Sequence, residues 1–242
     1  MSSEVDELSA LGAVPFGKGD VDPNDHSDDP YLDQKTGVLV NRFELTSQAA
    51  LDAADYHSSA ARKPFASFKM KRWKSPLDLS AWKEIHRTLF SELYEWAGST
   101  RTVNSSKGGK YFMPFDEIED EAAVIFGDRA GNDWLKGRKT PREFAADFAF
   151  PFGEGNGLHP FREGNGRTQR ILFDERSGRA GWSIDWSKVD RSGFIAAMIQ
   201  TGRGRLAPLS SIVEPIARRI DGNLRRRDDK GNQPKELPTQ RE

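Results

Sequence analysis

From Ser80 onward the apolar residues fall at helical intervals. Trp82, Ile85, Leu89, Leu93 and Trp96 share one face, which predicts a core helix with Ser80 as N-cap and Gly98 as C-terminal stop. His86 sits within that stripe and is expected to be structural. The pattern then changes. Two short extended runs, Arg101 to Asn104 and Lys110 to Phe112, flank the turn-forming Ser-Ser-Lys-Gly-Gly and predict a β-hairpin. A second amphipathic helix opens at Thr140-Pro141-Arg142-Glu143, a capping box with proline at the first helical position, and carries Phe144 and Phe148 on one face. Pro151, Gly155 and Gly157 interrupt it before His159. An interior proline costs about 3 kcal/mol and each glycine about 1 kcal/mol, so a kink or early end is predicted, accommodated by local repacking. Replacing Gly155 by Leu together with Gly157 by Ala is accordingly expected to raise thermal stability. Further helices are predicted over Ile171 to Arg179 and Asp185 to Gln200, with Trp182 and Trp186 as core or seam residues.

Both ends lack periodicity. Residues 1–28 are acidic and rich in Gly, Pro and Ser, and are read as a disordered tail. Residues 221–242 form a basic, polar tail in which Asp228, Asp229 and Glu236 offset the run Arg225 to Arg227. Between them, residues 29–220 form one domain.

Composition narrows the function classes. With 242 residues, 36% hydrophobic and 30% charged, the chain can bury a substantial core. Its net charge of −1 argues against direct nucleic-acid binding. There are no cysteines, which excludes thiolate metal sites and disulfides and suits a reducing compartment. No basic stretch precedes an apolar core at the N-terminus, and no run approaches the ~18 apolar residues of a membrane span. A cytoplasmic location without membrane attachment is expected.

The chemistry concentrates in His159 to Arg170, which reads HPFREGNGRTQR. His159 can take a proton at neutral pH. Glu163 can hold a hard divalent cation. The Gly164-Asn165-Gly166 turn can aim backbone N–H groups into one anion-binding concavity, and a helix beginning near Arg167 adds its positive dipole end. Arg167 and Arg170, three apart on one helical face, can bind further phosphates. The second EGNG, Glu154 to Gly157, lacks a downstream arginine pair and is not read as another phosphate loop.

This string resembles the signature HPFx(D/E)GNGRxxR of the Fic family at every defined position. The similarity extends through HRTLFSELYEWAGSTRTVNSSKGGKYF (His86 to Phe112) and back to DPYLDQKTGVLVN (Asp29 to Asn41). It implies an all-α Fic-domain helical bundle with a short β-hairpin flap, and transfer of AMP from ATP to a protein hydroxyl. His159 is then the catalytic base and Glu163 the Mg²⁺ ligand. Gly164, Asn165 and Gly166 cradle the phosphates, Arg167 reaches the β-phosphate and Arg170 the γ-phosphate. The flap, Lys107, Gly108, Gly109, Lys110, Tyr111 and Phe112, clamps the target segment. The family also implies a protein target, with DNA gyrase and topoisomerase IV subunits the targets of toxin-type relatives, while effector types are secreted into host cells. Fic enzymes are restrained by an (S/T)xxxE(G/N) helix. Ser210 to Pro215, SSIVEP, has proline at its last position and is read as a coincidence, so a separate small antitoxin is expected. Two alternatives stay open: a Doc-like kinase, in which a lysine stands where this chain has Gly166, and a non-catalytic binding module, against which His159, Glu163 and Arg170 count.

Overall fold

The computed structural model describes residues 29–107, 110–129 and 134–220. The expected tails, residues 1–28 and 221–242, lie outside the described residues. The longest helix, α1 (Gln48–Lys71), has no counterpart among the expected elements. Alanines at 49, 50, 53, 54, 60 and 61 favour it, and Pro64 is accommodated within it. Its buried residues are Leu51, Asp55, Ser59, Ala66 and Met70. Two of these five are polar, so hydrophobic spacing does not reveal the buried face.

The predicted core helix forms as α2 (Leu79–Phe90), but its bounds differ. Asp78, not Ser80, is the N-cap, accepting from the Ser80 and Ala81 amides at 2.9 and 3.4 Å. The helix stops at Phe90 rather than Gly98. Leu93 and Tyr94 amides both return to the Phe90 carbonyl, and tight turns stack Tyr94 on Trp96 at 4.4 Å. Gly98, at φ +88°, lies against α2, where a Cβ would come within 2.8 Å of Arg87 Cβ. Its role is close approach, not helix termination.

α1, α2 and α5 (Asn165–Arg179) pack together, while α4 (Pro141–Leu158) packs on α5 and on α6 (Arg191–Thr201) and α7 (Ala207–Val213). The short α3 (Ile118–Val124) runs into a single π-turn, Ile125–Arg129. Trp82 and Ile85 from α2, Phe144, Phe148 and Phe152 from α4 and Phe173 from α5 meet in one buried cluster.

Helix α4 runs to Leu158 with Pro151 inside it, so the expected early end does not occur. The Thr140–Glu143 capping box is present at its start. The glycines serve packing. A Cβ on Gly153 would lie 3.0 Å from Thr201 Cβ, and one on Gly155 would sit 3.4 Å from both Gln169 Nε2 and Phe173 Cε2. Gln169 Nε2 in turn donates to the Phe152 carbonyl at 2.6 Å, tying α5 to α4. The expected gain from Leu at position 155 is therefore overturned: its branches would enter space held by Gln169 and Phe173. Gly155→Leu should lower stability by about 1–3 kcal/mol, and Gly155→Ala should fall close to wild type. Denaturant unfolding of the two variants checks this, and a more stable leucine variant would contradict the packing.

Two other expectations are corrected. The hairpin pairs Ser106–Lys107 (β1) with Lys110–Tyr111 (β2), not Arg101 to Asn104 with Lys110 to Phe112. Arg101 N instead donates to the Pro160 carbonyl at 2.8 Å, and Asn104 Oδ1 accepts from the Phe115 amide at 3.1 Å. The helix expected from Asp185 begins at Arg191, because Asp190 caps it, its carboxylate accepting from Gly193 N at 2.6 Å. Before it, Trp182–Ile184 (β3) pairs antiparallel with Ala217–Arg219 (β4). Trp182 is fully buried and stacked on Phe144.

Candidate active site

The signature residues form the turn between α4 and α5. His159 ends α4 in the left-handed region at φ 44°, ψ 60°. A non-glycine residue there is strained, and the surrounding contacts hold it. Arg101 donates from Nε to the His159 carbonyl at 2.9 Å, from Nη1 to the Val103 carbonyl at 2.8 Å and from Nη2 to the Met113 carbonyl. Its own amide donates to the Pro160 carbonyl at 2.8 Å, while Met113 N donates to the Gly157 carbonyl at 3.0 Å. The Gly157 and His159 carbonyls at the end of α4 are thereby satisfied, and a guanidinium stands at the negative end of the helix. Burial lowers the Arg101 pKa to about 10, which leaves it charged at neutral pH.

α2 supplies the floor. Gly98 N donates to His86 Nδ1 at 2.8 Å, so that nitrogen is the acceptor. The ring proton therefore sits on Nε2, which donates to the Glu163 carbonyl at 3.0 Å. Burial depresses the His86 pKa to about 3 and keeps the ring neutral. Its face stacks on Phe161 at 4.0 Å. The structural role expected of His86 holds, with the signature loop as the thing it supports. Trp82 Nε1 adds a 2.8 Å bond to Thr168 Oγ1.

Phe161 is buried, and Asn165 grips it from both sides, accepting from its amide at 2.9 Å and donating to its carbonyl at 2.7 Å. The Asn165 amide group, expected to cradle phosphate, is thus engaged in holding the loop, and an anion is left to the backbone. Helix α5 starts at Asn165, two residues before the expected Arg167, with Gly164 as N-cap at φ +80°. The first intrahelical bond is Thr168 N to Gly164 O, so the amides of Asn165, Gly166 and Arg167 precede the ladder and point out of the helix end.

Gly164 cannot be replaced cheaply. A Cβ there would lie 2.6 Å from Phe90 Cζ and closer still to Cε2. Gly164→Ala should cost about 1–3 kcal/mol from backbone strain alone and reduce phosphate binding as the loop shifts. Thermal unfolding with and without a nucleotide measures both, and an unchanged pair of values would remove Gly164 from the site.

Glu163 Oε1 accepts from Gly164 N at 2.8 Å and from Arg167 Nη2 at 3.3 Å. Among the described residues no three His, Cys, Asp or Glu side chains converge as a metal cage. Mg²⁺ is commonly held by one or two carboxylates plus phosphate oxygens, so a single Glu163 fits that ion. Arg167 also donates to Asp55 and, at 3.0 Å, to Ser59 Oγ on α1, and its guanidinium lies over the Phe90 ring at 4.9 Å. Arg170 Nε donates to the Gly166 carbonyl at 3.1 Å. One turn on, Asp174 accepts from Trp186 Nε1 at 2.6 Å, and burial lifts its pKa to about 6.

The flap reaches the site from above. Gly108 and Gly109 lie outside the described residues, and Lys107 and Lys110 pair across the ribbon. Tyr111 is half-buried. Phe112, expected to contact a target, stacks face to face on the His159 ring at 3.6 Å and 9°. A strap of residues 29–45 closes the other side. Asp29 accepts from Arg162 Nε at 3.0 Å and Nη2 at 2.9 Å, and Tyr31 OH accepts from Thr102 N at 3.0 Å. Sequence reasoning missed Asp29, Asp55, Ser59, Arg101 and Arg162, none of which lies at a defined position of the signature.

A sequence profile of the Fic/DOC family matches residues 76–175. Protein adenylyltransferase VbhT of Bartonella schoenbuchensis is 35% identical over 203 residues, 81% of this chain; the chain spans 41% of that protein's length. The probable protein adenylyltransferase y4lH of Sinorhizobium fredii is 35% identical over 76% of this chain and 93% of its own length. The crystal structure of BepC, a VirB-translocated effector protein of Bartonella tribocorum with bound AMPPNP, superposes with a TM-score of 0.70 at 23% identity, covering 79% of this chain and 97% of that one. That last likeness is one of fold.

Proposed function

Since the chain belongs to the Fic/DOC family, we propose that it is a protein adenylyltransferase, moving AMP from ATP to a hydroxyl side chain of a target protein. The observation that carries the reading is the placement of His159 directly before the open end of α5. Its backbone is locked by Arg101, and the outward amides of residues 165–167 lie a short turn away.

In this reading the target hydroxyl loses its proton to the His159 imidazole as its oxygen attacks the α-phosphorus. The bond between the α-phosphorus and the bridging oxygen to the β-phosphate breaks, and pyrophosphate leaves. The amides of Asn165, Gly166 and Arg167 hold phosphate oxygens, and the Arg167 and Arg170 side chains meet the charge growing on the leaving group. Glu163 would hold Mg²⁺, which when bound neutralises phosphate charge. Phe112 keeps the imidazole in one plane and covers it from water.

Incubation with α-labelled and γ-labelled ATP and a lysate tests the reading. AMP transfer carries only the α label into protein. A protein carrying only the γ label would make the chain a Doc-like kinase, and neither label a binding module.

Restraint is assigned to a separate small antitoxin. Glu214, the glutamate of the Ser210 to Pro215 stretch, makes no ion pair with Arg170 among the described residues. DNA gyrase and topoisomerase IV subunits are the first targets to assay. Among the described residues no helix is long and apolar enough to cross a membrane, and the chain is assigned to the cytoplasm or to secretion as an effector.

A further inference from the structure

A guanidinium carries five N–H groups, and three of those on Arg167 are committed within the protein. Nη1 donates to Asp55 Oδ1 and to Ser59 Oγ, and Nη2 gives one hydrogen to Glu163 Oε1. The Nε hydrogen and the second on Nη2 remain for an anion. The Phe90 ring covers one face of the group, so the head cannot turn to present a different edge without breaking these bonds.

Asp55 is itself aimed. Its side chain is 8% exposed, and Oδ2 accepts from Tyr94 OH at 3.1 Å. Tyr94 is buried in the turns that follow α2, whereas Asp55 comes from α1 and Arg167 from α5. The turns after α2 therefore back Asp55, and α1 through Asp55 and Ser59 grips the guanidinium that α5 supplies. Burial works against the charge of Arg167, but Asp55, Glu163 and Tyr94 together outweigh it and the pKa is raised. A buried carboxylate is costly to keep unless it is paired and hydrogen-bonded, and here it is both.

We infer that Asp55 is a positioning residue for AMP transfer: with Tyr94 behind it, it fixes which edge of Arg167 faces the nucleotide. The inference rests on the adenylyltransferase reading above. It gives a function to α1, a helix outside the signature and outside the matched span of residues 76–175.

The test uses the full chain, assayed for AMP transfer over a range of ATP concentrations, with AMPPNP binding measured by calorimetry and unfolding followed thermally. Asp55→Asn should lower kcat by roughly tenfold or more while KM for ATP changes by less than about threefold, because orientation rather than contact is lost. Tyr94→Phe removes one hydroxyl and leaves every charge, so it guards against a simple folding failure. It should lower kcat by about threefold with AMPPNP affinity preserved. Once Arg167→Ala is present, adding Asp55→Asn should cost nothing more. Full kcat in a folded Asp55→Asn or Tyr94→Phe protein overturns the proposal, as do losses that multiply in the Asp55→Asn, Arg167→Ala double variant. A wild-type chain that transfers no AMP under the same conditions instead overturns the adenylyltransferase reading.

Discussion

Replacing His159 by alanine should lower AMP transfer by at least ~100-fold while leaving nucleotide affinity nearly intact. The separation follows from where the groups sit. The phosphate contacts assigned to the site come from α5 and its first amides, whereas His159 belongs to the end of α4 and meets α5 only through the intervening turn. Its backbone is fixed by Arg101 donating to its carbonyl and by the helix bond to Gly155, neither of which needs the imidazole. The fold of the loop should therefore survive. Two measurements check it: single-turnover transfer of an α-labelled phosphate at saturating ATP, and calorimetric binding of AMPPNP. Expression of the chain without its proposed antitoxin should also arrest growth, and the alanine variant should relieve the arrest. Transfer at close to the wild-type rate would remove His159 from the role of base.

Arg101→Met should be the most damaging single change to stability. The buried guanidinium serves the carbonyls of His159, Val103 and Met113, and it is 2% exposed. Methionine fills much of the volume but donates nothing. Stranding buried acceptors costs about 1–3 kcal/mol each, so a loss of about 3–5 kcal/mol is expected. For a domain of this size that corresponds to a fall in Tm of roughly 10–15 °C. Activity should fall further than stability alone requires, because the same bonds hold His159 in its left-handed conformation. Arg101→Lys keeps the charge but cannot span three carbonyls at once, and should recover only part of the loss. A methionine variant melting within about 2 °C of wild type would show that water replaces the guanidinium without penalty.

The signature was legible in the sequence because its chemistry is contiguous: base, carboxylate, turn and arginines lie within one short stretch. The capping box at Thr140 was legible for the same reason, being a local pattern, whereas the all-α class followed from the resemblance to the Fic family. What supports the site was not. Asp55 and Ser59 are polar residues on a buried face, so the spacing that reveals a core helix concealed α1. Arg101 looks like the start of a strand until its carbonyl partners are known. The ribbon of β3 with β4 joins residues more than thirty positions apart, beyond any local pattern. Gly155 reads as a helix breaker, and only the proximity of Gln169 and Phe173 shows that a small residue is needed there.

The strap formed by residues 29–45 has a practical consequence for how this domain can be cut. Asp29 and Arg162 are 133 positions apart, yet their ion pair fastens the catalytic turn to the first described residue, and Tyr31 fastens the same strap to the base of the flap. A fragment trimmed to the family-matched residues 76–175 would keep every signature residue and still lose both fastenings, together with α1. Such a minimal fragment should be treated as a different protein, and proteolytic nicking ahead of Leu45 becomes a route to inactivation that leaves the chemistry-bearing residues untouched.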